Sequence, residues 1–234
     1  MNIAHDPSLA PHVQINRPGI AAAQRLVRFA PAESLVKMAF DRCAALLGLV
    51  MISPVMLFIT VLILMRRDGP VVFSHVRVGR GGRLFRCHKF RTMIPNSNDL
   101  FHHILAIDPI ARDDWQVRRK IFRDPRVSRF GAFLRASSLD ELPQLWNVLC
   151  GDISLVGPRP ITLEELAQYG EHAGDYLSVR PGITGAWQVS GRSNSTFAER
   201  VALDVDYIRN PSFLRDMSIL LRTVSVVLGR QGAA

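Results

Sequence analysis

Residues 43–65, CAALLGLVMISPVMLFITVLILM, are the stretch that decides the architecture of this chain. The run holds roughly 23 positions without a charged side chain, which exceeds the length of about 18 apolar residues typical of a membrane helix. As one unbroken helix it would be about 35 Å long at about 1.5 Å per residue, which is enough to cross a bilayer. The sequence therefore predicts a membrane segment here.

Ser53 and Pro54 lie at the middle of this segment. Because proline lacks a helical N–H and disfavours helical backbone at the preceding residue, we expect a bend, with Ser53 able to hydrogen-bond the freed backbone. Basic residues flank both ends, with Arg28, Lys37 and Arg42 before the segment and Arg66, Arg67, Arg77, Arg80, Arg83 and Arg86 after it. The positive-inside rule then favours a re-entrant helix-break-helix with both ends in the cytoplasm. A simple spanning helix with a proline kink is the alternative.

The length, charge and cysteine content of the chain limit its possible functions. At 234 residues with no internal repeat, the chain is long enough for one catalytic domain with attachments. A net charge of +9 and an isoelectric point near 10.4 indicate an anionic partner, such as an acidic membrane surface or a phosphorylated substrate. We expect no nucleic-acid partner, because aromatic residues are few and no nucleic-acid-binding motif is present. Cys43, Cys87 and Cys150 are scattered without a CxxC pair, which predicts reduced thiols.

Residues 135–160, RASSLDELPQLWNVLCGDISLVGPRP, combine two adjacent carboxylates with arginines and a loop stiffened by proline. Ser138 and Glu141 have the spacing of a capping box, and Asp140 can itself cap a helix, so the acidic pair is predicted in a first helical turn. Free N–H groups there favour a carboxylate and equally a bound phosphate. Adjacent helical residues point about 100° apart, which favours a nucleophile towards phosphorus beside a ligand for a divalent cation. Two helix-capping acids without chemistry are the alternative.

Three blocks of sequence occur in a fixed order through the second half of the chain: SLDELPQLWN at 138–147, GDISLVGPRP at 151–160 and RPGITGAWQVSGR at 180–192. Together they resemble the bacterial sugar transferases, which are monotopic polyprenyl-phosphate phosphoglycosyl transferases that start polysaccharide assembly. The likeness runs from about Val36 to the C-terminus. The WQVSG form at 187–191 is similar to the hexose-transferring branch associated with exopolysaccharide.

The resemblance implies a two-step reaction that leaves the identity of the sugar open. Asp140 would take a hexose 1-phosphate, glucose or galactose, from a UDP-sugar with release of UMP, and would pass it to undecaprenyl phosphate. Glu141 would bind Mg²⁺. Phosphate or substrate contacts would come from Lys89, Arg91, Arg135, Arg159, Arg180, Gln188 and Arg192. Transfer of an N-acetylated amino sugar phosphate and a non-catalytic basic scaffold on the membrane are the alternatives.

The expected fold is α/β and mainly helical, with a flexible tail at 1–31, a re-entrant membrane helix at 32–67 and a catalytic domain at 68–234. We expect the protein to lie on the cytoplasmic face of a bacterial inner membrane, in contact with its lipids. The oligomeric state stays open, with a homodimer as one option. β-rich pieces around a Gly-Arg-Gly-Gly turn at 79–82 predict a small β-hairpin.

The C-terminal half carries further helix signals. The spacing of Thr162 and Glu165, and of Thr196 and Glu199, predicts two capping boxes. Apolar residues recur at three- and four-residue steps over 212–228, which predicts a last helix. Its apolar stripe fits either a core face or a helix lying in the membrane interface.

Overall fold

The computed structural model describes residues 34–66, 69–118, 121, 124–190 and 195–229. The predicted tail at 1–31 and the candidate substrate ligand Arg192 lie outside the described residues. The described part is mainly helical and carries two small sheets, as predicted.

The described residues form ten helices and four strands, which are numbered in chain order. The helices are α1 (Leu35–Arg66), α2 (Ser97–Ile107), α3 (Pro109–Arg118), α4 (Arg129–Ala136), α5 (Gln144–Cys150), α6 (Leu163–Gln168), α7 (Ala173–Ser178), α8 (Ala186–Ser190), α9 (Phe197–Arg209) and α10 (Phe213–Leu228). The strands are β1 (Val72–Val78), β2 (Leu84–Phe90), β3 (Ser154–Val156) and β4 (Gly182–Thr184). Short 3₁₀ turns occupy Arg80–Gly82, Leu139–Glu141 and Gly170–His172.

One face of α1 packs against the rest of the fold along both halves of the helix. Ala45 in the first half shares a buried cluster with Val148 of α5, whereas Ile59 and Ile63 in the second half share one with Leu134 of α4. The opposite face is apolar and exposed, and includes Leu46, Leu47, Val50, Met51, Leu57, Phe58, Leu64 and Met65. Within the described ranges, α1 is the one helix long and apolar enough to cross a membrane.

Helix α1 continues through Ser53 and Pro54. Pro54 cannot donate to the carbonyl of Val50, and the Ser53 hydroxyl donates to that carbonyl instead, at 2.8 Å. The predicted hydrogen bond of Ser53 is therefore confirmed. The structure has one helical element here rather than two, and the re-entrant path through the bilayer stays a prediction.

The predicted hairpin is confirmed. Strands β1 and β2 pair antiparallel, with Val72 opposite Phe90 and Val78 opposite Leu84. Buried side chains alternate with exposed ones over Leu84–Cys87 of β2, as expected for a strand with one face on a core. Pairing with β1 thus aims alternate residues of β2 at the domain interior.

The second sheet pairs β3 and β4 in parallel and fixes the Gly-Pro-Arg-Pro loop that follows β3. Ser154 lies opposite Gly182, and Gly157 N–H donates to Thr184 O at 2.9 Å. A Cβ added to Gly182 would lie 2.1 Å from the nitrogen of Gly157, which no side chain tolerates. Glycine is therefore required because two backbones touch here, and this contact places Arg159.

Both predicted capping boxes are present, at Thr162 with Glu165 and at Thr196 with Glu199. The last helix, α10, buries Asp216 and Ile219 and leaves much of its apolar surface exposed. At its start it meets the first helix, because Lys37 Nζ lies 2.5 Å from Asp216 Oδ2. The placement of α10 in a membrane interface stays a prediction.

Candidate active site

Asp140 and Glu141 lie on the 3₁₀ turn Leu139–Glu141, between α4 and α5. The predicted capping box is wrong, because Ser138 has a φ of 56° and its side chain makes no capping hydrogen bond. Asp140 is no helix cap either, since α5 begins only at Gln144, after Pro143. The left-handed backbone of Ser138 turns the chain so that both carboxylates reach β2 instead of serving a helix end.

Lys89 of β2 faces both carboxylates. Its Nζ donates to Glu141 Oε1 at 2.5 Å and lies 3.7 Å from Asp140 Oδ2. Lys89 is on the inward face of the hairpin together with Cys87, and α5 packs beside this face. The hairpin therefore brings Lys89 to the acidic pair, although Lys89 and Glu141 are 52 positions apart in the sequence.

Arg159 approaches Glu141 from the Gly-Pro-Arg-Pro loop. Its Nη1 donates to Glu141 Oε1 at 3.4 Å, and its guanidinium carbon lies 6.0 Å from the centre of the Trp187 ring. The loop is tied to the core because the buried Tyr176 hydroxyl donates to Val78 O at 2.9 Å and receives the Ile161 N–H at 3.3 Å. A fixed loop reduces the entropy lost when Arg159 grips a charged group.

The two carboxylates have opposite pKa shifts. Burial opposes ionisation of Glu141, but Lys89 and Arg159 outweigh burial and lower the pKa of Glu141 to about 2. Burial raises the pKa of Asp140, and although Lys89 and Arg135 oppose it, the negative charge of Glu141 adds to the increase. Glu141 is therefore the carboxylate that stays ionised, and Asp140 is the more basic carboxylate of the pair.

Arg135 and Arg91 flank the pair without touching it. Arg135 lies in the last turn of α4, where its Nε donates to Thr92 Oγ1 at 2.9 Å while its charge acts on Asp140. Arg91 lies at the open end of the hairpin, and its Nε donates to Pro70 O at 2.8 Å. Lys89, Arg159 and Arg135 thus gather around the acidic pair, whereas Arg91 is turned towards the hairpin end.

Arg180 has a different setting from the one its motif suggested. Its Nη2 lies 2.9 Å from Asp41 Oδ2 of α1, and its Nη1 donates to Ile153 O at 3.2 Å. Both members of this ion pair are buried. The structure thus places Arg180 between α1 and the small parallel sheet, where it supports the fold instead of contacting the acidic pair. Gln188 is buried on α8, beside Gly185.

Sequence reasoning missed Asp41. The signal was an aspartate two residues before an uncharged run of roughly 23 positions, where a carboxylate needs a partner. Its carboxylate accepts hydrogen bonds from Ser154 Oγ at 2.8 Å and from Leu155 N–H at 3.4 Å, in addition to its contact with Arg180. These bonds fix the start of α1 to the domain.

A second group missed from the sequence extends the site. Glu165 lies 3.1 Å from Arg77 and 3.5 Å from Arg200, and the Arg200 guanidinium carbon lies 4.7 Å from the centre of the Trp187 ring. The cleft next to the acidic pair is lined by Arg77, Cys87, Lys89, Glu141, Gln144, Arg159, Pro160 and Ile183. Arg77, Lys89 and Arg159 are the cations of this lining, and because Glu165 matches Arg77, Lys89 and Arg159 are the two that are suited to contact a diphosphate.

The donor set fits a magnesium ion that is shared with a substrate. No cluster of three or more metal-ligating side chains occurs in the part of the chain that the structure describes. Mg²⁺ commonly binds through one or two carboxylates together with substrate phosphates and water. Glu141, with its lowered pKa, has the charge for this role, and Asp140 lies on the same turn.

A long apolar helix is docked on a domain whose acidic pair, Asp140 and Glu141, lies beside a cleft lined by basic side chains. The chain belongs to the bacterial sugar transferase family, whose model matches residues 32–230. The resemblance seen in the three sequence blocks is thereby confirmed.

Three relatives show the range of the family. The undecaprenyl-phosphate galactose phosphotransferase of Salmonella typhimurium is 46% identical over 198 residues, which cover 85% of this chain and 41% of the relative. The exopolysaccharide production protein ExoY of Rhizobium meliloti is 41% identical over 203 residues, 87% of this chain and 90% of the relative. The UDP-glucose:undecaprenyl-phosphate glucose-1-phosphate transferase of Xanthomonas campestris pv. campestris is 38% identical over 201 residues, 82% of this chain and 39% of the relative. The chain thus spans about two fifths of the first and third relatives.

Proposed function

We propose that the protein transfers a hexose 1-phosphate, glucose or galactose, from a UDP-sugar to undecaprenyl phosphate, as the first membrane step of exopolysaccharide synthesis. The observation that carries this proposal is the acidic pair beside a cation-rich cleft, in which Lys89 contacts both carboxylates, the pKa of Glu141 is lowered and the pKa of Asp140 is raised. The names of the Salmonella, Rhizobium and Xanthomonas relatives support the same reaction and the same two sugars.

In the first step, a carboxylate oxygen of Asp140 attacks the β-phosphorus of the UDP-sugar. The new bond joins this oxygen to phosphorus, while the bond from the β-phosphorus to the bridging oxygen breaks and UMP leaves with the electron pair. The raised pKa of Asp140 suits the role, because the more basic oxygen is the better nucleophile once ionised. The product is a phospho-sugar held on Asp140.

In the second step, a phosphate oxygen of undecaprenyl phosphate attacks the same phosphorus. The aspartyl–phosphorus bond breaks, the Asp140 carboxylate is restored, and the sugar leaves as a diphosphate-linked lipid. Lys89, Arg159 and Arg77 line the cleft and can stabilise the negative charge that moves between the oxygens in both steps. Glu141 would hold Mg²⁺, which neutralises phosphate charge when bound.

The packing of α1 supports a monotopic placement, with both ends of the helix on the cytoplasmic face. Asp41 and Ile63 are both buried against the same domain, although about 33 Å of helix separates them at about 1.5 Å per residue. A helix that crossed the bilayer upright would carry the polar surface of the domain into lipid. A shallow α1, with its exposed apolar face in lipid, instead puts Asp140 near the headgroups, where a polyprenyl phosphate presents its charge.

Measurement of UMP release tests the reaction. The full chain in lipid nanodiscs is incubated with undecaprenyl phosphate, Mg²⁺ and, in separate reactions, UDP-glucose, UDP-galactose and two UDP-N-acetylhexosamines. We expect sustained UMP release from one of the first two sugars, and a single equivalent at most when the lipid acceptor is omitted. Release from an N-acetylhexosamine alone would establish the amino sugar alternative, and release from none would favour the non-catalytic scaffold.

A further inference from the structure

A cleft of about 340 Å³ opens beside the turn of the hairpin, at the C-terminal end of α5. Its lining residues are Gly79, Arg80, Gly81, Arg83, Phe85, Gly151, Asp152 and Arg180. It shares no lining residue with the cleft at Glu141. Phe85 of this cleft and Cys87 of the other lie on the same strand two residues apart, so about 7 Å of strand separates the two linings. The hairpin turn therefore borders a site of its own.

The charges around this cleft are not balanced. Arg83 is exposed, and the Arg42 guanidinium stands at the rim, where its Nη2 would lie 2.8 Å from a Cβ on Gly151. Neither arginine forms an ion pair with any residue that the structure describes. Arg180 at the cleft wall is already matched by Asp41.

Asp152 is the single carboxylate in the lining, and it accepts a hydrogen bond from Asn147 Nδ2 at 3.2 Å. Against this one acid stand the guanidinium groups of Arg42 and Arg83, so these residues give the cleft a net positive charge. Planar guanidinium forks are the side chains best suited to bind the oxygens of a phosphate. At Gly81 no atom lies within 4 Å of the position of a Cβ, which leaves room for such a group to approach the backbone there.

The position of Arg42 relates this cleft to the membrane. Within the uncharged run at 43–65, the exposed apolar face of α1 starts at Leu46 and Leu47, about one helical turn, or 5.4 Å, beyond Arg42. Leu35 and Val36 are exposed earlier on the same helix. If that face lies in lipid, Arg42 lies at the depth of the headgroups. The phosphate that the cleft would meet there is the phosphate of a membrane lipid.

We propose that this cleft binds the phosphate group of a membrane phospholipid, at a site separate from the catalytic cleft. The inference rests on the membrane placement proposed above, but it does not depend on the transfer reaction. A bound headgroup would hold the hairpin turn and the end of α5 against the membrane surface. The ligand chemistry is a phosphate ester anion, and inorganic phosphate is the alternative source of the same group.

Thermal unfolding of the full chain in a neutral detergent tests the site. The unfolding midpoint is measured while dihexanoylphosphatidylglycerol, dihexanoylphosphatidylcholine or inorganic phosphate is titrated in. We expect the anionic lipid to raise the midpoint of the wild type at the lowest concentration. In the double variant R42Q/R83Q its apparent affinity should fall at least about tenfold, because two charge-assisted hydrogen-bonding groups are lost.

Arg86→Gln is the matched control. Arg86 is exposed on β2, next to Phe85 but on the opposite face of the strand, so the change removes one arginine charge outside the cleft, against two in R42Q/R83Q. Its affinity for the lipid should stay within about twofold of wild type, since a lone surface charge contributes little. Equal loss in R86Q, or wild-type affinity in R42Q/R83Q, would overturn the site. Inorganic phosphate as effective as the lipid would support the phosphate site and assign it to an anion from solution.

This readout is independent of catalysis. A protein that releases no UMP still reports lipid binding through its unfolding midpoint, so failure of the proposed reaction and failure of the lipid site are distinguishable. Near-ultraviolet circular dichroism of each variant verifies the fold. We expect native spectra, because Arg42 and Arg83 have no partner to lose among the described residues.

Discussion

The ion pair of Asp41 with Arg180 and the group formed by Glu141 with Lys89 and Arg159 use the same chemistry in two surroundings. The side chains of Asp41 and Arg180 are 2% and 7% exposed, and the hydrogen bonds of Ser154 and Ile153 complete their shell. Lys89 and Arg159 are 28% and 35% exposed and border an open cleft.

The difference between the two groups separates support from chemistry. The buried pair of Asp41 and Arg180 is matched in charge, and it fixes α1 to the domain, since a broken buried pair leaves an uncompensated charge. The open group has more cations than it needs for Glu141 alone, so Lys89 and Arg159 can turn to a phosphate at little cost. An arginine in a family motif can therefore be either a structural residue, like Arg180, or a residue of the open cleft, like Arg159. The burial of its side chain distinguishes the two cases.

The largest effect that tests this contrast is expected at the open group. Asp140→Asn should lower UMP release by at least about 10⁴-fold, the order seen when a nucleophile is removed. Its stability should hold or rise, because burial raises the pKa of Asp140 and the ionised form is thus already disfavoured in the fold. UMP release and the unfolding midpoint of the same preparation are the measurements. Turnover within tenfold of wild type would remove Asp140 from the nucleophile role.

The sealed pair should give the opposite pattern. Asp41→Ala removes the carboxylate that faces the buried guanidinium of Arg180, so the free energy of unfolding should fall by about 3 to 5 kcal/mol. The double variant Asp41→Leu with Arg180→Met replaces both charges with apolar groups and should recover most of this loss. Denaturant unfolding in detergent measures both. If Arg180→Ala lost UMP release while keeping wild-type stability, the result would support the substrate role that its motif predicts.

Features with local causes could be predicted from the sequence. The hairpin and the capping boxes at Thr162 and Thr196 depend on residues close in the chain, and all were confirmed. The role of Arg180 could not be foreseen because its partner, Asp41, is 139 positions away.

Ser138 shows why a correct local pattern can fail. It has the spacing of a capping box with Glu141, yet Glu141 instead bonds to Lys89, 52 positions away, and to Arg159, 18 positions away. The two charge-assisted hydrogen bonds of Glu141 are stronger than one neutral capping bond. Ser138 therefore does not cap a helix, and its backbone adopts a left-handed conformation. The acidic pair could be predicted as a site because arginines lie near it in the sequence and because the sequence resembles the family. Its backbone geometry could not be predicted, because it depends on cations that are distant in the sequence.

Lys89→Met should come next in size. Loss of the cation that contacts both carboxylates should lower UMP release by about 10²-fold, the effect of removing one preorganised charge-stabilising donor. The substitution should also raise the pKa of Glu141, because burial raises this pKa and the positive charge of Lys89 no longer lowers it. Mg²⁺ titrations of activity at several pH values measure both effects. Wild-type activity in this variant would show that the contact with Glu141 is structural, like that of Arg180 with Asp41.

The pH dependence sharpens the difference inside the acidic pair. A nucleophilic carboxylate must be ionised, so activity should fall as pH falls through the raised pKa of Asp140, at a pH above the usual aspartate value of about 3.9. Glu141, with a pKa of about 2, should stay ionised over the same range. Arg135→Gln removes a cation that lowers the pKa of Asp140, so the acid limb of kcat/KM should move to higher pH. A limb that stays in place would assign it to another group.

The smallest effect is expected at Arg91, where the structure and the family motif point in different directions. Its Nε donates to Pro70 O, and its guanidinium lies 3.5 Å from the position of a Cβ on Gly69, so it closes the open end of the hairpin. Arg91→Gln removes one hydrogen bond to a neutral acceptor, while the backbone N–H of residue 91 still donates to Val71 O. We therefore expect kcat/KM within about threefold of wild type and a loss of about 1 kcal/mol in stability. Lys89→Met, two residues earlier on the strand, is the matched comparison. A loss of activity in Arg91→Gln as large as that in Lys89→Met would mean that Arg91 leaves the hairpin end and joins the open group when substrate binds.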